Sequence, residues 1–435
     1  MTLFGSSGIR GKVFEEISLD LALDIGKAVG REYPKVVLGR DTRTSGEMYE
    51  SIVLSGLLSS GADAYVAGIV STPTLAWAAR KFSCGLVITA SHNPGEFNGV
   101  KFWNPNGLAF LEGQRKRIEK LLARKAFKSV PWDQIGSLHR YENAVSEHKE
   151  GILSSVGESR IKVVVDCGNG ATYNITPFVL REMGCKVVTL NAHPDGRFPS
   201  RNPEPTRENL SALLRAVRST KADLGIAHDG DGDRMTAVDE RGRFVGGDRL
   251  LSIFAMREVK RKVVVPVDAS MVLEDLLPGA RVFRTRVGDV FVGEEVEKQR
   301  ADFGGEPSGT WIFPKHFLCP DGVYAAAVLA RIVSEKKLSL LADRVPSYPQ
   351  KVEALSFDPG RKKKVLRALK DRMKSVSCKE MTTIDGWRFQ FDGGWALVRL
   401  SGTEPKVRIK VEARTLKMVK EIYRPIHSLV KEVLR

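Results

Sequence analysis

The chain has 435 residues, more than one hydrophobic core usually occupies, and this length points to about three or four domains of ordinary size. Hydrophobic residues at 42% and charged residues at 28% exclude a mostly disordered, collagen-like or membrane-embedded chain. The 68 Lys and Arg outnumber the 52 Asp and Glu, for a net charge of +16, which favours an anionic ligand: nucleic acid, an acidic surface or phosphate.

The opening MTLFGSSGIRGKV lacks the apolar core of a signal peptide, and no stretch approaches a membrane span, so a cytoplasmic location is expected. Within it, GSSGIRG holds Arg10 in a flexible turn suited to a phosphoryl group. The five cysteines are scattered, with no C-x-x-C pair, and read as reduced, buried thiols.

A block of β-branched residues ending in Asp then recurs three times: VVLGRD to Asp41, KVVVD to Asp166 and KVVVPVD to Asp268. Each reads as a buried strand, followed by a helical stretch and a second strand opening at Gly61, Gly184 or Gly279. After a further helical stretch each block ends in a third strand running into a polar, Gly-containing loop: GLVITASHNPGEFNG, ADLGIAHDGDGDR and ADFGGEPSGT. Ligands of open α/β sheets sit beyond the carboxyl ends of strands, so these loops are the places to look for chemistry.

In the first loop Ser91 stands at a turn beside His92 and Asn93-Pro94, either as a nucleophile or as a plain turn residue, with Lys101 on the returning strand as a source of charge or a proton. A Ser-His-Asp hydrolase is disfavoured because no G-x-S-x-G elbow is present. CGNGAT, from Cys167, lacks the third Gly of a dinucleotide fingerprint and reads as a strand-to-helix turn. In DGDGDR, Asp229, Asp231 and Asp233 alternate so that an extended loop can bring three carboxylates to one side, the oxygen-rich arrangement Mg²⁺ takes, against the plainer reading of a solvated acidic turn. An EF-hand reading fails because Arg234 stands where that loop needs Gly and strands flank the motif. The third loop offers Glu306 and Ser308 for hydrogen bonds to sugar hydroxyls, although Gly-Glu-Pro-Ser is also an ordinary turn.

From about residue 350 the pattern changes to an amphipathic helix at 361–375, hairpin strands and a final helix, a smaller α+β unit. It carries 21 Lys and Arg against 10 Asp and Glu over residues 351–435, which suits a basic unit closing over an anion. Its RLSGTEPKVRI combines Arg399, Arg408, Ser401 and Thr403 around a Gly-containing turn, a natural phosphate cradle. A nucleic-acid-binding protein built on RKKK at 361–364 is the rival from another class, against the simpler reading of a solvated helix face.

At these residues the chain resembles the α-D-phosphohexomutase superfamily over nearly its whole length: TASHNP its phosphoserine loop, DGDGDR its metal loop, GEPSG its sugar-binding loop and SGTEP its phosphate-binding loop. The resemblance implies three related α/β domains with mixed sheets and a smaller α+β C-terminal domain around a central cleft, here at 1–150, 151–250, 251–348 and 349–435. It implies that Ser91 is phosphorylated in the resting enzyme and that Asp229, Asp231 and Asp233 bind one Mg²⁺ together with that phosphate. Arg10, His92, Lys101 and Arg234 would surround the transferring phosphoryl group, Lys101 aiding proton transfer, while Glu306 and Ser308 hold sugar hydroxyls. Arg399, Ser401, Gly402, Thr403 and Arg408 would hold the phosphate that is not transferring.

FGSSGIRG, Arg286 to Asp289 and RLSGTEPKVRIKVEA look most like phosphoglucosamine mutases, archaeal ones in particular. That likeness implies exchange of glucosamine 6-phosphate and glucosamine 1-phosphate through a sugar bisphosphate intermediate or activator; a phosphomannomutase/phosphoglucomutase is the alternative. The expected partner is a hexose or hexosamine phosphate, not nucleic acid or membrane, on a monomer or homodimer. Thr310 departs from the pattern, since many relatives have His there.

Overall fold

The computed structural model describes residues 3–5, 8–127, 129–401 and 404–434. The three Val-rich runs form strands Lys35–Arg40, Lys162–Asp166 and Lys262–Pro266, each the second strand of a common four-strand arrangement that the first sheet extends by a further strand at both edges. On one side each pairs in parallel with the strand that follows it, Asp63–Ile69, Lys186–Leu190 or Arg281–Thr285. On the other it pairs in parallel with a third strand, Cys84–Ile88, Leu224–His228 or Phe303–Glu306, all of whose residues are buried. Burial on both faces is what continuous apolar runs such as Val163–Val165 require. An antiparallel strand, Phe97–Trp103, Met235–Asp239 or Thr310–Ile312, then returns beside the third. Each polar loop is therefore the connection between the third strand and its return, at the carboxyl end of the sheet's interior.

One local expectation is overturned. Arg10 lies not in a flexible turn but on strand Gly8–Lys12, opposite Gly99 on Phe97–Trp103. Ile9, only 2% exposed, explains this: its burial in the first core anchors a segment whose glycines alone suggest a loop.

The last sheet is all antiparallel, in the order Gln350–Ser356, Lys406–Ala413, Gly394–Leu400, Trp387–Phe391, Glu380–Thr382. Helices Lys362–Arg372 and Leu416–Leu434 pack on it around its own core, and Lys362 to Lys364 face solvent. The second and third sheets, by contrast, share one core with helix Gly322–Glu335, whose residues are buried almost throughout. The C-terminal unit meets the third sheet through the small cluster of Val267, Met271, Trp395 and Leu397, reinforced by polar contacts. Lys410 Nζ donates to Asp268 O at 2.7 Å, and Glu412 accepts from Met271 N at 2.7 Å and Trp395 Nε1 at 2.9 Å. Among the described residues, no helix is long and apolar enough to cross a membrane.

Helices Leu19–Glu32 and Gly46–Ser59 cross at Gly26 and Gly56, where a Cβ on Gly56 would stand 2.4 Å from Leu23 O. Gly56→Ala must push the helices apart and is expected to cost about 1–3 kcal/mol, read as a lower urea midpoint. An unchanged midpoint would contradict the contact.

Candidate active site

The first loop is held by a buried arginine that sequence reasoning missed. Arg43, 1% exposed, pairs with Asp41 at 3.0 Å and donates to four carbonyls of the loop, among them Ser91 O at 2.8 Å, Asn93 O at 2.6 Å and Phe97 O at 2.8 Å. Asp41 Oδ2 also accepts from Thr89 Oγ1 at 2.7 Å, and Thr89 Oγ1 accepts from Ser91 N at 2.8 Å. This clamp keeps Ser91 in the left-handed region, at φ 53°, a costly place for a residue with a side chain. The repeated strand-end Asp was the signal in the sequence; D-T-R, read alone, is only a turn.

So held, Ser91 Oγ donates to Asp229 Oδ2 at 2.9 Å and lies 3.3 Å from His92 Nδ1. A hydroxyl from the first repeat thus meets the acidic loop of the second. That loop is itself locked: Asp229 Oδ1 accepts from Gly232 N at 3.0 Å and Arg234 N at 3.2 Å, and Thr72 N donates to Asp231 O at 2.8 Å. Asp229, Asp231 and Asp233 are all buried and offer oxygens within 4.8 Å of one another.

Lys101 reaches Asp231 Oδ2 at 2.6 Å and Asp233 Oδ2 at 2.5 Å. Burial disfavours charge on both Lys101 and Asp231, yet their contact outweighs it, so the lysine is raised and Asp231 is held below the usual carboxylate range. Asp229, facing Asp231 and Asp233 in the same dry pocket, is raised well above that range by burial and by their charge. Among the described residues, Asp231 Oδ1 and Asp233 Oδ1 are buried without a hydrogen-bond partner. Three carboxylates, one ammonium and two idle buried oxygens fit a hard divalent cation. Burial, then the charges of Arg234, Arg10 and Lys101, push His92 down to about 2, so its imidazole is neutral.

Backbone bonds tie the third polar loop to this cluster, Met235 N donating to Gly309 O at 2.9 Å beside an Arg234–Thr310 bridge. Glu306 Oε1 accepts from Gly288 N at 2.8 Å, and Ser308 Oγ and Thr310 Oγ1 each stand 3.4 Å from Glu306 Oε2. Thr310 here completes a Glu-Ser-Thr hydroxyl network, its Oγ1 3.0 Å from Ser308 Oγ. Burial, with the nearby charge of Asp289, pushes Glu306 up to about 7. Arg234 lies 3.5 Å from Glu204, a partner outside every motif.

In the fourth loop the described arginines pair with acids outside the Asp229 cluster. Arg399 and Arg408 are direct cross-strand neighbours. Arg399 Nε lies 3.0 Å from Asp385 Oδ2, which also accepts from Val287 N at 3.1 Å, and Arg408 lies 3.4 Å from Glu404. Ser401 Oγ accepts from Glu404 N at 3.3 Å. Asp385, another residue without a sequence signal, thereby links Arg399 to the third repeat. Gly402 and Thr403 lie outside the described residues.

With this geometry in place, four family models match in chain order. Phosphoglucomutase/phosphomannomutase alpha/beta/alpha domain I covers residues 1–129, domain II 139–242 and domain III 246–348, and the C-terminal domain covers 356–424. The chain belongs to the phosphoglucomutase/phosphomannomutase family, within the α-D-phosphohexomutase superfamily. Among its relatives, a protein of Methanocella arvoryzae described as a "Probable phosphoglucosamine mutase" is 51% identical over 435 residues, 100% of this chain and 99% of the relative. One of the same description from Methanococcoides burtonii is 48% identical over 436 residues, covering 100% of both. The crystal structure of a phosphoglucomutase/phosphomannomutase family protein from Burkholderia thailandensis superposes with a TM-score of 0.90 at 28% identity, over 99% of this chain and 97% of that one.

Arg43→Lys keeps the charge but loses the forked donors, and breaking this buried set is expected to cost about 3 kcal/mol in chemical denaturation. A loss under about 1 kcal/mol would show that the clamp is dispensable. For Glu306, a folded value of about 7 against an ordinary 4.5 means the native state binds the proton more tightly. The native state is then penalised progressively as pH rises from 4.5 through about 7. Glu306→Gln should therefore be more stable than wild type above about pH 7, by about 1–3 kcal/mol, with the difference vanishing below pH 4.5. Parallel stability curves for the two proteins would refute the shift.

Proposed function

We propose that this protein interconverts glucosamine 6-phosphate and glucosamine 1-phosphate as an intramolecular phosphotransferase, with Ser91 carrying the phosphoryl group. The observation that carries the reading is the contact of Ser91 Oγ with Asp229 at 2.9 Å, which brings a strained hydroxyl to a buried acidic cluster. The sugar is supported by the two archaeal relatives at 51% and 48% identity, both described as probable phosphoglucosamine mutases.

In this reading the substrate's free hydroxyl attacks the phosphorus on Ser91 and gives up its proton, the P–Oγ bond breaks, Oγ takes up a proton, and the sugar leaves as a bisphosphate. Residues 1–150, 151–250, 251–348 and 349–435 each bring one loop to the reaction. Such transfer needs positioning and neutralisation of spread negative charge. Arg10, Lys101 and Arg234 supply cationic charge, and Lys101, kept protonated by Asp231 and Asp233, is also a proton donor. Neutral His92, 3.3 Å from Oγ, offers a ring nitrogen for a hydrogen bond there. Asp229, Asp231 and Asp233, with the phosphate of Ser91, would hold one Mg²⁺. When bound, it supplies Lewis-acid charge on the transferring group.

Glu306 and Ser308 orient sugar hydroxyls, with Thr310 bracing both. Arg399, Ser401, Gly402, Thr403 and Arg408 hold the phosphate at rest. The bisphosphate then turns over, and its other phosphate returns to Ser91. The small apolar contact of the C-terminal unit suits a basic domain that retains this intermediate while it reorients. A cytoplasmic protein, monomeric or homodimeric, fits such a role.

Ser91→Ala is expected to abolish mutase turnover while metal titration still detects binding at the acidic triad, and intact mass should find one phosphate on the wild-type Ser91 peptide and none on the variant. Full turnover by the variant would end the proposal. The family models themselves favour a second reading, phosphomannomutase/phosphoglucomutase, because the same loops serve either sugar. Purified protein should turn over glucosamine phosphate faster than glucose or mannose phosphates; comparable rates on all three would defeat the narrow assignment.

A further inference from the structure

A second cluster of metal-ligating side chains lies where the first three repeats meet. His148, fully buried on helix Ala144–Val156, places Nε2 2.9 Å from Asp321 Oδ2. His316, whose side chain is 3% exposed, places its own Nε2 3.7 Å from the same oxygen, beyond hydrogen-bond reach. Among the described residues that nitrogen has no hydrogen-bond partner. Ligand atoms of all three side chains lie within 4.8 Å of one another.

The surroundings hold these groups in place. Asp321 Oδ1 accepts from Val323 N and Tyr324 N, both at 2.9 Å, at the start of helix Gly322–Glu335, so Oδ2 is the oxygen turned to the imidazoles. His148 Nδ1 lies 3.0 Å from Thr74 Oγ1, itself 2.7 Å from Ser71 Oγ. The His316 ring is sandwiched between Tyr324, centroids 4.0 Å apart at 7°, and Trp77, 4.7 Å apart at 15°.

Hydrogen bonding alone does not satisfy this cluster. With both rings neutral, Asp321 Oδ2 takes one N–H from His148, and His316 Nε2 is left idle in either tautomer, a state native interiors avoid. Charging both rings would bury two imidazolium groups, with centroids 6.0 Å apart, against a single carboxylate. A cation resolves the conflict: both Nε2 lone pairs and Oδ2 turn to it, and His148 Nδ1–H donates to Thr74, the outer support that metal-bound histidines use. Tetrahedral zinc with bonds of about 2.0–2.1 Å spaces its ligands at roughly 3.3 Å, a value that the observed 2.9 and 3.7 Å bracket. Two imidazoles and one carboxylate are a zinc-type set, unlike the all-oxygen triad beside Ser91.

We propose that His148, His316 and Asp321 bind a divalent transition-metal ion of the zinc class, separate from the acidic triad, as a clasp between the repeats. The clasp adjoins the acidic loop: Gly322, next to Asp321, donates its N–H to Gly232 O at 3.2 Å, between Asp231 and Asp233.

The test uses the full chain, stripped with a chelator and then held in excess Mg²⁺ to occupy the acidic triad. Zn²⁺ or Co²⁺ is added, unbound metal is removed by gel filtration, and bound metal is measured by mass spectrometry, with the visible absorption of tetrahedral Co²⁺ as second readout. Wild type should retain about one equivalent with intense visible bands, as a three-ligand site completed by solvent would. Asp229→Asn should retain it too, and His316→Gln should lose both metal and bands. Thr74→Val, which keeps every ligand and therefore reports even if the histidine variant misfolds, should weaken binding about 10–100-fold. Wild type retaining no metal, or His316→Gln or Thr74→Val retaining it as tightly as wild type, would overturn the proposal.

Discussion

Three carboxylates share a pocket that excludes water, and the rest of this molecule is arranged around that electrostatic strain. In water such groups would ionise independently. Here Asp229 is driven toward its neutral form by burial and by its neighbours, while the Lys101 ammonium draws Asp231 the other way. Such a cluster persists only if the surrounding chain over-determines it. That constraint accounts for the density of fixed contacts: backbone donors on Asp229, Thr72 on Asp231, and an ammonium spanning two acids.

The repeats supply that rigidity by a device used twice. Asp41 grips Arg43, which binds the carbonyls of the serine loop; Asp166 grips Arg201 at 2.9 Å, which donates to His228 O at 2.6 Å, just ahead of the acidic loop. Each acid closes the first strand of its repeat, and each arginine carries that fixed point to the loop at the end of the third strand. Serine and aspartate are thus set by two equivalent lever arms built on one sheet plan. Neither loop needs to be ordered by its own short sequence. In the third repeat the strand-end acid acts through its backbone instead, Asp268 O accepting from Lys410 of the C-terminal unit.

Much of this was legible in the sequence because burial leaves a strong mark. Runs such as Val163–Val165 give a two-faced buried strand whatever their context, and the strand, helix and strand spacing repeats with them. The polar loops stood out for the opposite reason, since their carboxylates and hydroxyls exceed what a turn needs. What escaped notice were residues whose role depends on distant partners. Asp385, Glu204 and Arg43 look like ordinary surface charges until the fold brings Arg399, Arg234 and the serine loop to them. His148 and Asp321 are separated by 173 residues, and no local pattern joins them. Strand Gly8–Lys12 was hidden by its glycines, and strands Gln350–Ser356 and Glu380–Thr382 by their largely exposed, polar faces.

The left-handed backbone at residue 91 narrows the chemistry open to this position. Threonine carries the same kind of hydroxyl and would accept a phosphoryl group equally well in principle. Its branched Cβ, however, collides with the neighbouring peptide at a φ near 53°, where β-branched side chains are genuine outliers. Among the two aliphatic alcohols that proteins possess, the geometry of this corner admits one.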